Sequence, residues 1–393
     1  MGFWNGRVTF NRYRISGESP LPFGDELLER IGQHLIGVHG STAPTDGVAF
    51  GWAGGDHVLD LSLDLAKNVV DDALHLAIRI DTDKIPSSLL RAYTQIEIDA
   101  LAQGNPSGTA TKAQRQEAKE TARKRAEAEA ADGRFRRLNH YPVLWDARSN
   151  TLYAGSSSAS VLDRLQSLFR ETFDRELQPI TAGSITQALS ADPTGDAGLL
   201  AATFETGRFT TGGDPSNPIS ILAWSGDDQT GLDYLGNEFL VWIWHSLQSS
   251  GGTINLSDGS EVSVILAKTL TLDCPRGETG RDQLADDVPT RLPEALRALQ
   301  AGKLPRRAGM ILVRHGAQYE LTLQAESFAV SGAALPKPED GPLSPSEFRI
   351  ARLESLRHLT QTLDLLFAAY LDRRTSLIWP EELGRIRGWL TAA

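Results

Sequence analysis

The chain has 393 residues, 40% of them hydrophobic, and a formal net charge of −11 at pH 7. This length predicts a globular protein of more than one domain, and the single cysteine, Cys274, excludes an internal disulfide framework and a cysteine-rich zinc site. Since no run of about 18 apolar residues occurs and the N-terminus lacks a signal-peptide pattern, we expect a cytoplasmic protein with no membrane contact.

The first hundred residues alternate between the period of a strand and that of a helix. Gly-rich or acidic turns separate the strand patterns, which favours an antiparallel sheet. In chain order the predicted elements are a strand at 3–14, a helix at 25–36, strands at 47–53, 57–63 and 73–80, and a helix at 85–101.

Residues 102–134 contain no Leu, Ile, Val, Met, Phe, Tyr or Trp, although residues 111–131 consist largely of strong helix formers. A helix with so little to bury predicts a solvated arm, and a rise of 1.5 Å per residue gives it a length of roughly 30 Å. Between residues 112 and 137 there are nine Lys and Arg against five Asp and Glu, which leaves thirty against forty-five in the rest of the chain. A positive arm on an acidic body predicts a polyanionic partner; a solubilising spacer is the alternative interpretation.

Cations recur along the arm at steps of three and four and so form one basic stripe, made of Lys112, Arg115, Lys119 and Arg123. The arm ends in a basic cluster around an aromatic residue, Arg134-Phe135-Arg136-Arg137. An exposed aromatic at the tip of an arm needs a cover, and the simplest symmetric cover is the same tip of a second copy. Alternatively, Phe135 joins the base of the arm to its own domain through Leu138 and Tyr141.

Beyond the arm the chain predicts further α+β structure, with a boundary rich in Gly, Asp, Thr and Pro at 190–218. We expect an α+β fold in which helices pack on antiparallel sheets in two core regions. The predicted domains are an N-terminal domain (1–101 and 138–189), the projecting arm (102–137) and a C-terminal domain (219–393) with a long closing helix. The predicted elements after the arm are a hairpin at 142–154, helices at 160–177 and 235–247, a hairpin at 252–272, a helix at 292–301, two strands within 310–328 and a helix at 346–374.

A second basic segment lies in the C-terminal domain, where Lys303, Arg306 and Arg307 place three cations within five residues. In an acidic domain such a cluster predicts a second phosphate contact, with a solvated loop as the alternative. Trp242 and Trp244 have apolar neighbours, which favours a place in the core over a base-stacking platform.

Metal-dependent nuclease chemistry is the main catalytic alternative. Its residue types occur, but their spacing is more typical of solvent-facing strand and turn positions. No phosphate-binding loop, nucleophile elbow or dinucleotide fingerprint is present, and the histidines form no zinc pattern, so we expect no catalytic residue, cofactor or metal. The residues available to a nuclease are Asp60, Asp64, Asp81, Asp83 and Lys84.

Taken in order, six short patterns resemble the recombination-associated RdgC family of bacterial DNA-binding proteins along most of the chain. None is a strict chemical motif, so the resemblance depends on their order. They are Gly51-Trp52, Lys84-Ile85-Pro86 before a helix, the charged arm helix followed by Arg134-Phe135, a strand ending in Trp145-Asp146, a small-residue helix start at 154–161, and Ala301-Gly302-Lys303.

The resemblance implies a non-enzymatic homodimer that closes head-to-head and tail-to-tail into a ring around duplex DNA, without sequence preference. It implies association with the nucleoid and limited access for the strand-exchange recombinase, whose filament would be an indirect partner. The aromatic that helps to close the ring in this family maps onto Phe135. The chain departs from the family in the length of residues 224–291 and in Asp286-Asp287-Val288, where the family carries a basic and polar pair.

Duplex DNA binding is therefore the predicted function. A metal-dependent exonuclease and a scaffold whose arm docks on an acidic protein are the alternatives. Phe135 is the predicted dimer gate. The predicted DNA-binding residues are Lys112, Arg115, Lys119, Arg123, Lys124, Arg125, Arg134, Arg136, Arg137, Lys303, Arg306 and Arg307.

Overall fold

The structure is a computed structural model that describes residues 2–20, 22–38, 48–191, 232–274, 280–337 and 343–392. Within these ranges the chain forms ten α-helices, one short 3-10 helix and thirteen strands that join in one sheet. The predicted α+β fold class is therefore confirmed. The predicted boundary at 190–218 lies almost wholly outside the described residues.

The described strands follow one another mostly as antiparallel neighbours. They are β1 (Val8–Ile15), β2 (Val48–Ala53), β3 (Val69–Val70), β4 (Ala73–Asp83), β5 (Arg136–Asp146), β6 (Thr151–Ala154), β7 (Leu177–Pro179), β8 (Thr253–Asn255), β9 (Glu261–Asp273), β10 (Arg281–Asp286), β11 (Leu304–Arg314), β12 (Ala317–Gln324) and β13 (Val330–Ala334). Their order across the sheet is β10-β9-β11-β12-β13-β1-β6-β5-β4-β2, while β3, β7 and β8 pair with β4, β1 and β9.

The described helices cover the sheet, except for one pair that projects from it. They are α1 (Asp25–Gly32), α2 (Leu65–Asn68), α3 (Ser87–Gln103), α4 (Lys112–Ala131), α5 (Ala159–Phe173), α6 (Ala182–Ala191), α7 (Tyr234–Ser250), α8 (Pro293–Gln300), α9 (Pro345–Thr375) and α10 (Trp379–Ala392). None of them is both long enough and apolar enough to span a bilayer, among the residues that the structure describes.

Strand β1 joins the two halves of the sheet. Its first residues pair with β13, where Val8 lies opposite Ala333 and Phe10 lies opposite Val330. The pairing register shifts between Val8 and Phe10, and the later residues of β1 pair with β6 and β7. One strand near the start of the chain therefore connects the N-terminal strands with the C-terminal ones.

Each half of the sheet has its own apolar core. In the N-terminal half, α1 and α5 pack around Trp145, Phe169 and Phe173, whose ring centroids lie between 4.7 and 5.4 Å apart. In the C-terminal half, α7 is buried almost all round, with Trp242 and Trp244 at most 5% exposed. The predicted core position of these two tryptophans is confirmed.

Helix α9 crosses both halves and ties them together. Arg12 of β1, which is buried, donates to both carboxylate oxygens of Asp364 at 2.7 and 2.8 Å. Arg357 of the same helix pairs with Asp146 at the end of β5, with 2.6 Å between nitrogen and oxygen. Each pair has one member that is almost fully buried, so removing Asp364 or Arg357 would leave a buried charge uncompensated, on Arg12 or on Asp146.

One predicted strand does not form. Residues 57–63 make a loop that is organised by the Asp60 side chain rather than by pairing with a neighbouring strand. The Asp60 carboxylate accepts hydrogen bonds from the Asp56 N–H and from Ser62, and it pairs with Lys67 Nζ at 2.8 Å. An aspartate satisfied within its own segment favours a turn, which overrides the apolar alternation of this segment.

Gly236 in α7 lies where the helix and the end of β12 approach too closely for a side chain. A Cβ there would overlap the carbonyl oxygen of Ala325. Gly236→Ala should therefore lower the free energy of unfolding by about 1–3 kcal/mol, measured by thermal denaturation. Gly384→Ala in α10 is the matched control, since its added Cβ meets nothing within 4 Å. Equal melting temperatures for the two variants would contradict this close approach.

Candidate nucleic-acid interface

Helices α3 and α4 form an antiparallel hairpin inserted between β4 and β5. The turn between the helices is closed by Asn105 Nδ2, which donates to Gln114 Oε1 at 2.7 Å. Gly108 in this turn has a φ of 62°, which favours glycine. Helix α4 begins with a capping box, in which Thr111 and Gln114 each accept from the backbone N–H of the other.

The hairpin is held by a stripe of alanines. Ala118, Ala122 and Ala126 are fully buried, and their spacing of four residues places them on one side of α4, against α3. The expectation that this segment has almost nothing to bury was therefore wrong. Small side chains allow the two helices to approach closely, so an alanine-rich helix can have a buried face without any large apolar residue.

Phe135 lies at the base of the hairpin, so its predicted position at the tip was wrong. Helix α4 runs back toward the sheet, and Arg136 already lies in β5 opposite Asp83 of β4. The tip of the hairpin is instead the turn at residues 104–111. Phe135 itself is half-buried. The predicted orientation would have required α4 to project without a partner, whereas α3 carries the chain outward.

Several of the predicted DNA-binding cations brace the base of the hairpin. The Tyr93 hydroxyl donates to Glu129, with oxygen distances of 2.8 and 3.0 Å, and this hydrogen bond raises the pKa of Tyr93. Arg125 lies over the Tyr93 ring, 4.1 Å from its centroid. Arg134 pairs with the same Glu129 at 3.3 Å, and Arg136 pairs with Asp83 at 3.2 Å. The charges of these three arginines are thus partly neutralised by neighbouring carboxylates.

The opposite side of the hairpin carries cations with few counter-charges. With 3.6 residues per turn, Lys112, Lys119 and Arg123 lie on one side of the alanine stripe, and Arg125 lies on the other. Arg91 of α3 faces away from Tyr93 and so joins the first side. Lys112 and Lys119 form no ion pair with any residue that the structure describes, while Arg123 pairs with Glu127 at 2.7 Å. We call Arg91, Lys112, Lys119 and Arg123 the cationic face.

The remaining predicted cations of the arm are exposed but lie elsewhere. Arg115 is near the tip, Lys124 points away from α3, and Arg137 lies at the start of β5. Lys84 and Arg91 were not predicted as DNA-binding residues, although both are exposed near the hairpin. The helical pattern of residues 85–101 predicted the helix that carries Arg91. It did not predict that this helix pairs with the arm.

The second basic segment lies far from the hairpin and is largely paired. Lys303 binds Asp282 at 2.7 Å, and Arg306 binds Glu326 at 2.9 Å. Arg307 on β11 is exposed. Five strand spacings separate β11 from β5, which amounts to about 24 Å. The structure therefore does not bring this segment together with the cationic face.

The aspartates considered for a metal-dependent nuclease each belong to a separate contact. Among the described residues, no three His, Cys, Asp or Glu side chains are grouped so that they could hold a metal ion. Lys84 is exposed. Asp60 pairs with Lys67, Asp64 caps α2, Asp81 pairs with Arg79, and Asp83 pairs with Arg136.

Known proteins give no guide to this interface. Comparison with models of known protein families and with curated protein sequences finds no match for this chain. The charge distribution on the hairpin is thus the main functional indication within the described ranges.

The contacts of Asp60 predict a loss of stability in acid. Burial alone would raise the pKa of its carboxyl, but hydrogen bonds from Lys67, Asp56 and Ser62 lower the pKa from 3.8 to about 2. A lowered pKa stabilises the folded state above pH 3.8, and this contribution is lost as the pH falls from 3.8 to about 2. Asp60→Asn should lower the free energy of unfolding at pH 6 by on the order of 1 kcal/mol, after allowance for solvent screening.

Urea unfolding between pH 6 and pH 2 measures this effect. Asp60→Asn should show a smaller further loss in the acid window than the wild type. Asp132→Asn, at an exposed position, is the control and should follow the wild-type profile. An unchanged acid profile for Asp60→Asn would show that the carboxylate does not hold the loop.

Proposed function

We propose that this protein binds duplex DNA without sequence preference, through phosphate contacts made by the cationic face of the hairpin. The observation that carries the proposal is the one-sided charge of the hairpin. Its braced side pairs cations with carboxylates, whereas the cationic face holds Lys112 and Lys119 without ion-pair partners among the described residues. Such a surplus favours a polyanion.

The geometry of the cationic face suits contact with the phosphate backbone of DNA better than recognition of its bases. Lys112 and Arg123 lie eleven residues apart, or about 16 Å along α4, while duplex DNA carries one charge per roughly 1.7 Å of axis. Several phosphates therefore come within reach of the face at once. Tyr93, the aromatic residue of the hairpin helices, lies on the braced side in contact with Arg125 and Glu129, so the face offers no platform on which a base could stack.

Ring formation remains part of the proposal, by analogy with the RdgC family. In this form two copies would enclose the duplex, modulate recombination by limiting access of the recombinase, and remain associated with the nucleoid. A half-buried Phe135 supports a closing contact only in part, because the base position also fits the alternative in which it packs with Leu138 and Tyr141. A scaffold that docks the same face on an acidic protein would not retain duplex DNA at low salt.

A triple variant tests the cationic face. Lys112→Ala, Lys119→Ala and Arg123→Ala together should weaken duplex binding and reduce the slope of log affinity against log salt by roughly 2 to 3, since each neutralised phosphate contributes about 0.9. Electrophoretic mobility shifts with two unrelated duplexes, over a salt series, measure both quantities.

The matched control removes the same charge elsewhere. Arg30→Ala, Arg164→Ala and Arg170→Ala lie on α1 and α5, where Arg30 and Arg170 are exposed and Arg164 is half-buried, and should leave the slope unchanged. If the hairpin variant keeps the wild-type slope, the face does not touch DNA. If the wild-type protein fails to shift either duplex at low salt, the DNA proposal is lost.

The proposed gate has a separate test. Phe135→Ala should leave folding and the dimer mass in light scattering intact, because one aromatic contributes only a few kcal/mol to a contact. It should shorten residence on circular duplex DNA, from which a closed ring cannot slide, and have little effect on linear duplex. Leu138→Ala at the same hairpin base is the control. Unfolding of the Phe135 variant, or wild-type residence on circles, would exclude a gating role.

A further inference from the structure

A groove of about 810 Å³ lies at the other end of β5 from the hairpin. Its floor is formed by paired residues of β1 and β6, in which Arg12 lies opposite Tyr153 and Arg14 lies opposite Thr151. Helix α9 and helix α6 form its walls. Ten residues separate Arg136 at the hairpin base from the groove end of β5, or about 34 Å of extended strand. The groove is thus distinct from the cationic face.

The carboxylates that line the groove are all engaged by arginines. The Arg14 side chain is exposed and forms neither an ion pair nor a hydrogen bond with any residue in the described ranges. It is therefore the groove cation that lacks a counter-charge. The engaged pairs are Asp146 with Arg357, Glu354 with Arg148 and Arg357, and Asp364 with Arg12.

Two further lining residues each have a buried side-chain nitrogen without a hydrogen-bond partner among the described residues. The Arg12 side chain is only 3% exposed, and its Nε has no partner in the part of the chain that the structure describes. His358 Nδ1 lies 2.7 Å from the Tyr319 hydroxyl, and its Nε2 is buried without a partner there. Burial lowers the pKa of His358, and which ring nitrogen carries the hydrogen depends on the tautomer. Arg12 Nε, in contrast, is always a donor.

The walls of the groove are partly apolar. Ile185 and Leu189 of α6 face Leu365 of α9 across it, and the last two are half-buried. A phosphodiester backbone has no apolar part to cover such side chains. A peptide segment with an acidic residue beside aliphatic or aromatic residues supplies both a carboxylate and an apolar body. The volume lies within the range of pockets that bind small ligands.

We propose that this groove binds a short acidic and apolar peptide segment of a partner protein, with an Asp or Glu carboxylate of that segment paired to Arg14 and its apolar side chains packed on α6 and α9. This interaction goes beyond DNA binding and does not depend on it. Charge complementarity at Arg14 sets the specificity, because an arginine presents two parallel donors to a carboxylate.

A random heptapeptide library displayed on phage tests the groove on the full-length protein. Selection on the wild type should enrich Asp or Glu flanked by apolar residues, and the same selection on Arg14→Ala should not. A fluorescein-labelled copy of the enriched peptide should then bind Arg14→Ala roughly tenfold more weakly in fluorescence anisotropy, which corresponds to a loss of about 1.4 kcal/mol. Arg14→Lys should retain part of the affinity. A peptide in which Asp is replaced by Asn should bind the wild-type protein about as weakly as the original peptide binds Arg14→Ala.

Two control variants separate the groove from general effects of charge and folding. Arg170→Ala removes an exposed arginine on α5 and should bind the peptide as the wild type does. Leu189→Asn should weaken peptide binding without changing duplex affinity. Failure to enrich an acidic and apolar pattern, or equal binding by wild type and Arg14→Ala, would overturn the proposal. Loss of duplex affinity in Arg14→Ala with unchanged peptide binding would instead make the groove a phosphate contact.

Discussion

Backbone pairing along β1 is the constraint on which the rest of the molecule depends. A strand in the middle of a sheet must satisfy its N–H and C=O groups on both edges, and the later residues of β1 find these partners in β6 on one edge and in β7 on the other, while its first residues pair with β13. The shift of register after Val8 lets one strand serve both halves. The ion pair between the buried Arg12 and Asp364 then fixes helix α9 over this junction.

Elements with a strong local pattern could be predicted from the sequence. The arm helix predicted at 111–131 is α4, and the hairpins predicted at 142–154 and 252–272 form with turns close to those expected. The partner of the arm could not be predicted in the same way. Alanines four residues apart at 118, 122 and 126 indicate a buried side of a helix, but they do not identify the helix that covers it.

The candidate site, too, could be predicted from the sequence only in part. Local charge identifies the surplus of cations to which Lys112 and Lys119 belong, because nine Lys and Arg stand against five Asp and Glu between residues 112 and 137. It cannot identify neutralisation by carboxylates distant in the sequence, as in Arg136 with Asp83 or Lys303 with Asp282. Arg14 could not be identified from the sequence, because a single arginine in a strand forms no pattern. It is the surplus charge of the groove only because the other charged residues there pair with one another.

The alanine stripe also determines how the hairpin moves. Three methyl groups bury far less apolar area than the aromatic side chains of the two cores, and stabilisation scales at about 25 cal/mol per Å² of that area. We therefore expect the hairpin to open by local unfolding more readily than the sheet does, and its amide hydrogens to exchange with solvent while those of the strands stay protected. A soft support of this kind would let the cationic face follow the curvature of the proposed polyanionic partner without straining the body that carries it.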